Sequence, residues 1–208
     1  NPTSYKDYPN PMAEPVTFYL QEGAPYLGKL STNKMKLNKQ EIFSDNASFS
    51  AKSLAKSMSS NHRLMYVSEE LKQDIHISGV PEINIKASSS KKAVNLSVYL
   101  VSLPWNNNKE SKITDNIITK GWADLQNYSS LSKSSPLIPG KFYDMYFEMQ
   151  PDDQVIKKGQ QIGLMIFSSD SEHTILPAPG TKLTIDLDNT SITIPIVGGI
   201  NTFKEAID

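Results

Sequence analysis

Apolar residues recur at every second position in this chain, in segment after segment. "VNLSVYL" sets Val94, Leu96, Val98 and Leu100 on one side and Asn95, Ser97 and Tyr99 on the other. Ile75 and Ile77 of "DIHIS", Ile83 and Ile85 of "EINIK", and Tyr143, Met145, Phe147 and Met149 of "YDMYFEM" repeat the pattern. Successive side chains of an extended strand point to opposite faces, so this alternation predicts half-buried antiparallel strands. "KLTIDLDNTSITIPI" predicts two of them, Leu183-Ile185-Leu187 and Ile192-Ile194-Ile196, joined by a short turn around Asp188, Asn189 and Thr190. Gly79-Val80-Pro81, Pro139-Gly140, Lys157-Lys158-Gly159, Pro177-Ala178-Pro179-Gly180 and Gly198-Gly199 separate the strands. Glycine supplies positive φ there and proline presets a turn angle. "FSAKSLAKSMSS", Phe49 to Ser60, carries helical spacing in Leu54 and Met58, enough for a turn or two. About ten to twelve short strands with little helix predict an all-β antiparallel sandwich, jelly-roll or immunoglobulin-like.

The chain has 208 residues, and a domain of that size buries roughly 70% of its unfolded surface without a metal or disulfide staple. Residues 1–15, rich in Pro, Asn and Tyr, read as an extended connector, and residues 16–208 as the sandwich. Net charge is −1, from 21 basic and 22 acidic residues with no basic run. That excludes the electrostatic footprint of a nucleic-acid binder. The absence of cysteine excludes disulfides, zinc–thiolate sites and a thiol nucleophile. No apolar run approaches the roughly 20 residues of a membrane span. "NPTSYKDYPNP" is not a signal peptide, and a start without Met reads as a fragment of something longer.

"FSSDSEHTIL", Phe167 to Leu176, holds the letters of a hydrolytic triad. A serine hydrolase needs its nucleophile, base and acid in one hydrogen-bonded line, converging from separate segments. Neighbours at the end of one strand do not supply that line, and no G-x-S-x-G elbow accompanies them. A polar strand end is expected instead, with Asp170 or Ser171 bonding nearby backbone. His76 alternates with Ile75 and Ile77 and so faces away from the core; His62, His76 and His173 match no zinc spacing. Asp152-Asp153 and Asp186-x-Asp188 lack the glycine-punctuated loop of a calcium motif and read as turn carboxylates. Trp105, in "SLPWNNNKE", is a candidate stacking platform for a sugar, and Trp122 lies within a strand as core or interface. The N-x-S matches at Asn46, Asn95, Asn127 and Asn189 are chance in so Asn- and Ser-rich a chain.

The order of the segments is more specific than any one of them. "LKQDIHISGVPEINIKASSS", "VNLSVYLV", "ITKGWADLQNY", "PGKFYDMYFEMQPDDQVIKKGQQIGLMIFSSDSEHT" and "SITIPI" follow one another. This order resembles the C-terminal domain of Xaa-Pro dipeptidyl-peptidases (X-prolyl dipeptidyl aminopeptidases) of lactic acid bacteria and streptococci. That domain is related to the sandwich ending cocaine esterase and the α-amino acid ester hydrolases. The resemblance covers Arg63 to Pro195 well and the residues before Arg63 loosely. It implies a jelly-roll-like, galactose-binding-like sandwich, with "SG-x-P" as a corner between two strands. It also implies a cytoplasmic, homodimeric parent that releases X-Pro dipeptides from peptide amino termini by serine chemistry. The triad would lie in an upstream α/β-hydrolase domain, so this chain alone is expected to be non-catalytic, without cofactor or metal, and to support or shield that domain. Asp170 and His173 are then expected to fix a loop or a docked face, and Trp122 and Asn127 likewise. The alternative is a carbohydrate- or surface-ligand-binding module that uses Trp105.

Overall fold

The computed structural model describes residues 7–105 and 116–208. Its first half runs β1 (Ala13–Gln21), β2 (Gly28–Ser31), β3 (Gln40–Ser44), α1 (Ala51–Lys56), β4 (Leu64–Val67), β5 (Ile75–Gly79), β6 (Glu82–Ser89) and β7 (Asn95–Leu103). The second half adds β8 (Ile117–Asp124), β9 (Phe142–Glu148), β10 (Asp152–Ile156), β11 (Gln161–Phe167), β12 (Lys182–Asp186), β13 (Ser191–Val197) and α2 (Gly199–Ile207). The expected helix is α1, shorter than its sequence signal, with the Ser50 side chain accepting from the Ser53 N–H at its start. β1 begins at Ala13, inside the segment read as a connector, and residues 1–6 of that segment lie outside the described residues.

Ten strands form the ladder β3-β12-β6-β13-β1-β2-β4-β11-β7-β8, with β5 beside β13, β10 beside β5, and β9 on the other edge of β6. Alternate residues from nearly every strand turn inward to one continuous core, among them Phe18, Ile83, Leu100, Leu164 and Ile194. The sandwich is therefore one large wrapped sheet. The pairing is antiparallel with a single exception among the described strands, β2 with β4, which run parallel through Gly28–Tyr66 and Lys29–Val67. Gly28 allows this join, because a Cβ there would sit 2.4 Å from the Gln21 carbonyl oxygen and 2.5 Å from the Tyr66 ring.

The short turn expected between the last two strands is present, and it is a jog in one line of chain. β12 pairs with β6 at Ala87–Ser89, and β13 continues in the same direction along the same edge at Glu82–Asn84. The Asp186 carboxylate accepts from the Asn189 N–H and side-chain amide, and its carbonyl accepts from the Thr190 hydroxyl. Those bonds tie the four intervening residues into a compact turn, with Leu187 and Thr190 buried, and return the chain to its course. The Gly79-Val80-Pro81 corner works similarly. β5 and β6 both lie against β13, making one bent strand, and β9 with β10 bends alongside. Gly79 takes φ +136, and a Cβ there would press on Pro195 at 3.0 Å.

One further expectation is corrected. Ser97 and Tyr99 of β7, expected on a solvent face, are buried, because a second apolar layer covers the outside of β4, β11, β7 and β8. That layer contains Ala51, Leu54 and Ala55 of α1 with Met65, Val101 and Phe167. Past Gly198-Gly199 the chain forms α2, whose Phe203 is buried against Phe18 with ring centroids 4.8 Å apart, edge to face.

Candidate functional site

The outer face of β11, β7 and β8 carries side chains in rows fixed by register. Phe167 opposes Ser97, which opposes Trp122; Met165 opposes Tyr99, which opposes Lys120. At the end of β11 the chain turns beside these rows, and Asp170, only 1% exposed, becomes the common acceptor. The Tyr99 hydroxyl donates to its Oδ2 at 2.5 Å and the Trp122 indole N–H at 2.9 Å. His173 Nδ1 lies 3.1 Å from both carboxylate oxygens. The Asp170 carbonyl also accepts from the backbone N–H groups of His173 (3.0 Å) and Thr174 (2.8 Å), closing the loop on itself.

Burial alone would raise the Asp170 carboxyl, but the hydrogen bonds from Tyr99, Trp122 and His173 outweigh it and hold the group below its ordinary range. The Tyr99 phenol is pushed well up, first by burial and then by its bond to the carboxylate. An ionised Asp170 thus faces a neutral phenol, and its hydrogen bonds are charge-assisted. The His173 ring stacks on Trp122, 4.9 Å between centroids at 29°. Its Nε2 faces the Lys120 ammonium at 3.5 Å, so Nδ1–H donates to Asp170 and the Nε2 lone pair turns to Lys120.

This arrangement orients a loop; it does not build a nucleophile. Ser169 donates its N–H and hydroxyl to the two oxygens of buried Asp45, at 2.8 and 2.7 Å. The Ser168 hydroxyl oxygen is buried without a partner among the described residues. Among the described residues the hydrogen-bonding neighbour of His173 Nε2 is Lys120, not a serine. Asn127 lies apart from the network, in the 3₁₀ turn Leu125–Asn127 after β8, with its side-chain oxygen buried and unpartnered. Trp105 is half-buried against the second apolar layer. His76 bonds Asp153 at 2.8 Å, and His62 bonds the Ser44 carbonyl while stacking on Phe49. Asp188 accepts from the N–H groups of Leu37 and Asn38, at 2.8 and 2.9 Å.

Asp45, Tyr99 and Arg63 carry no signal in the sequence patterns. Tyr99 reads there as the outward member of an alternating strand, and the elements that cover it are distant in sequence. Arg63, fully buried, donates to the carbonyls of Ser57 (2.6 Å), Tyr26 (3.0 Å) and Leu54 (3.4 Å). Burial lowers its guanidinium to about 10. It ties the segment after α1 to the loop between β1 and β2.

The family of X-Pro dipeptidyl-peptidase C-terminal non-catalytic domains matches residues 1–203. The chain belongs to this family. The match includes the residues before Arg63, which the motif order reaches only loosely. A Rhodopirellula baltica protein provisionally named Xaa-Pro dipeptidyl-peptidase is 54% identical over 95% of this chain, which covers 32% of that protein. A Bacillus anthracis protein with the same provisional name is 36% identical over 92% of the chain, covering 31% of its own length. The chain thus spans about a third of the length of these relatives. Among solved structures, an aminopeptidase from a marine sediment Thaumarchaeota archaeon superposes with a TM-score of 0.70 at 18% identity, over 93% of this chain and 38% of that one. An α-amino acid ester hydrolase gives a TM-score of 0.67 at 16% identity, over 87% of this chain and 36% of the other. At these identities the two structures establish the fold alone.

Proposed function

We propose that this non-catalytic domain serves a longer serine exopeptidase that releases X-Pro dipeptides from peptide amino termini, by supporting or shielding an upstream α/β-hydrolase domain. Residues 16–208 form the sandwich in this reading, and the parent works in the cytoplasm as a homodimer. The absence of cysteine is compatible with that reducing compartment. The observation that carries the reading is the Asp170 network: a buried carboxylate whose three side-chain donors fix a loop on the outer face. Asp170, His173 and Trp122 hold that loop for docking, and Asn127 continues the same edge after β8. The carbohydrate-binding alternative has less support, because Trp105 packs its ring against the second apolar layer.

Replacing His173 with Ala in the full-length parent tests this. Removing the Nδ1–H and the ring stacked on Trp122 frees the loop, so the expected result is faster thermal inactivation of Gly-Pro anilide cleavage. Unchanged stability and unchanged turnover would refute the docking role of His173.

A further inference from the structure

Four large apolar side chains stand in solvent around one part of the surface: Met58, 73% exposed, Tyr26, 65%, Ile42, 59%, and Phe49, 40%. They belong to one neighbourhood. The Ser60 N–H donates to the Pro25 carbonyl at 2.8 Å, and Phe49 stacks on His62. Pro25, Ile42, Ser60 and Asn61 line a single cavity of about 540 Å³. Arg63 lies beneath and clamps the carbonyls of Tyr26 and Ser57, so the patch is held by a buried guanidinium rather than by loose loops. The acidic groups next to it are engaged: Glu41 accepts from Gly23, Ala24 and Tyr66, and Asp45 from Ser169. On its inner side α1 contributes Ala51, Leu54 and Ala55 to the second apolar layer, which Trp122 also joins. The patch and the Asp170 loop therefore border the same layer. Monomeric proteins rarely expose contiguous apolar patches beyond a few hundred Å² unless something covers them.

We propose that this patch is the seat of the catalytic portion of the same polypeptide, an inference that rests on the reading of the chain as an accessory domain. About two-thirds of each relative lies outside the region matched here, since this chain covers 32% and 31% of them. The same fold fills 38% and 36% of the two larger solved chains. A segment joined covalently meets the patch at an effective concentration of about millimolar, which a separate partner does not reach. The charges at its edge are paired, Lys39 with Glu22 at 3.9 Å, and a platform held from beneath by Arg63 suits an interface that never has to open. Interfaces between domains of one chain bury about 600–1,500 Å², an area the patch begins and the Asp170 side extends.

Because this chain lacks cysteine, thiols placed in it report on accessibility. In the full-length parent, Met58→Cys is labelled with a maleimide under native conditions and read by peptide mass spectrometry. Leu131→Cys, at a position 86% exposed, is the reference. The expected result is labelling about tenfold or more slower at position 58 at every protein concentration, as a covered intrachain interface requires. Equal rates would overturn the proposal by leaving the patch free. Protection that vanishes on dilution would overturn it by assigning the patch to a second copy. Gly-Pro anilide cleavage by the same sample reports separately on the parent activity, so either statement can fail alone.

Discussion

Three chemically different donors converge on the Asp170 carboxylate: a phenol, an indole and an imidazole. Tyr99 is buried and Trp122 half-buried, while His173 lies at the surface, and all three bonds lose their charge assistance if the carboxylate is neutralised. In Asp170→Asn the shape is kept, but an NH₂ replaces one acceptor oxygen: at Oδ2 it meets the Tyr99 and Trp122 donors, at Oδ1 it meets His173 Nδ1, and in either orientation the charge is gone. Hydrogen bonds to a buried charge are worth about 1.5–3 kcal/mol each and are not additive, so a loss of about 3 kcal/mol is expected at neutral pH. The pH dependence follows in sign. The folded carboxyl is held below its ordinary value of 3.8. Its stabilisation is therefore complete above that pH and disappears as pH falls through the lower folded value. Urea unfolding at neutral pH and at successively lower pH, followed by Trp fluorescence, should show the two proteins converging in acid. A constant gap down to the lowest pH would mean that packing, not charge, is what Asp170 contributes.

Among the elements, strand existence was legible in the sequence and strand connectivity was not. Alternation marks β7, β9 and β13 because a sheet with one wet face needs period two, and Leu96, Val98 and Leu100 do turn inward. It is silent on register, so the short turn around Asp188, Asn189 and Thr190 does not tell that β12 and β13 lie end to end on one edge of β6. It also misplaces the outer face of β7, whose cover comes from α1 and from the loop after β11. Within the site, Asp170, His173 and Trp122 are reachable from the family motif, whereas Tyr99 needs the β7–β8 register to join them. The helix α2 shows a different limit: Ile200, Phe203 and Ile207 are spaced for one helical face, yet the turn signal Gly198-Gly199 ahead of them does not name the element that follows. Phe203 is 2% exposed and meets Phe18 edge to face, and the Lys72 N–H donates to the Ala206 carbonyl. The helix is thus a plug on β1 and β13. Phe203→Ala should cost about 3–5 kcal/mol of unfolding free energy, the usual range for emptying a buried aromatic site. A loss under about 1 kcal/mol in chemical denaturation would place α2 outside the cooperative unit.

At the scale of the whole molecule, the fold carries more apolar structure than one sandwich requires. The inner core already joins residues from nearly every strand, yet a second layer lies outside β4, β11, β7 and β8, and Tyr26, Phe49 and Met58, close in sequence to its Leu27 and to α1, stand exposed. In the full-length protein that rim is covered, on the proposal above; in the separated chain it faces water. With a net charge of −1, little electrostatic repulsion opposes contact between copies. The separated chain should therefore self-associate as its concentration rises, seen as an increasing sedimentation coefficient. Tyr26→Asp with Met58→Asp should abolish that association. Both side chains are more than half exposed and neither belongs to the inner core. The urea midpoint of the double variant, measured at dilution, should then match the parent chain within about 0.5 kcal/mol, the range of ordinary surface changes. A drop in stability larger than that would show the two residues to be part of the domain's own packing. Association that survives the substitutions would move the sticky surface elsewhere, with Ile175, 90% exposed at the end of the Asp170 loop, next in line.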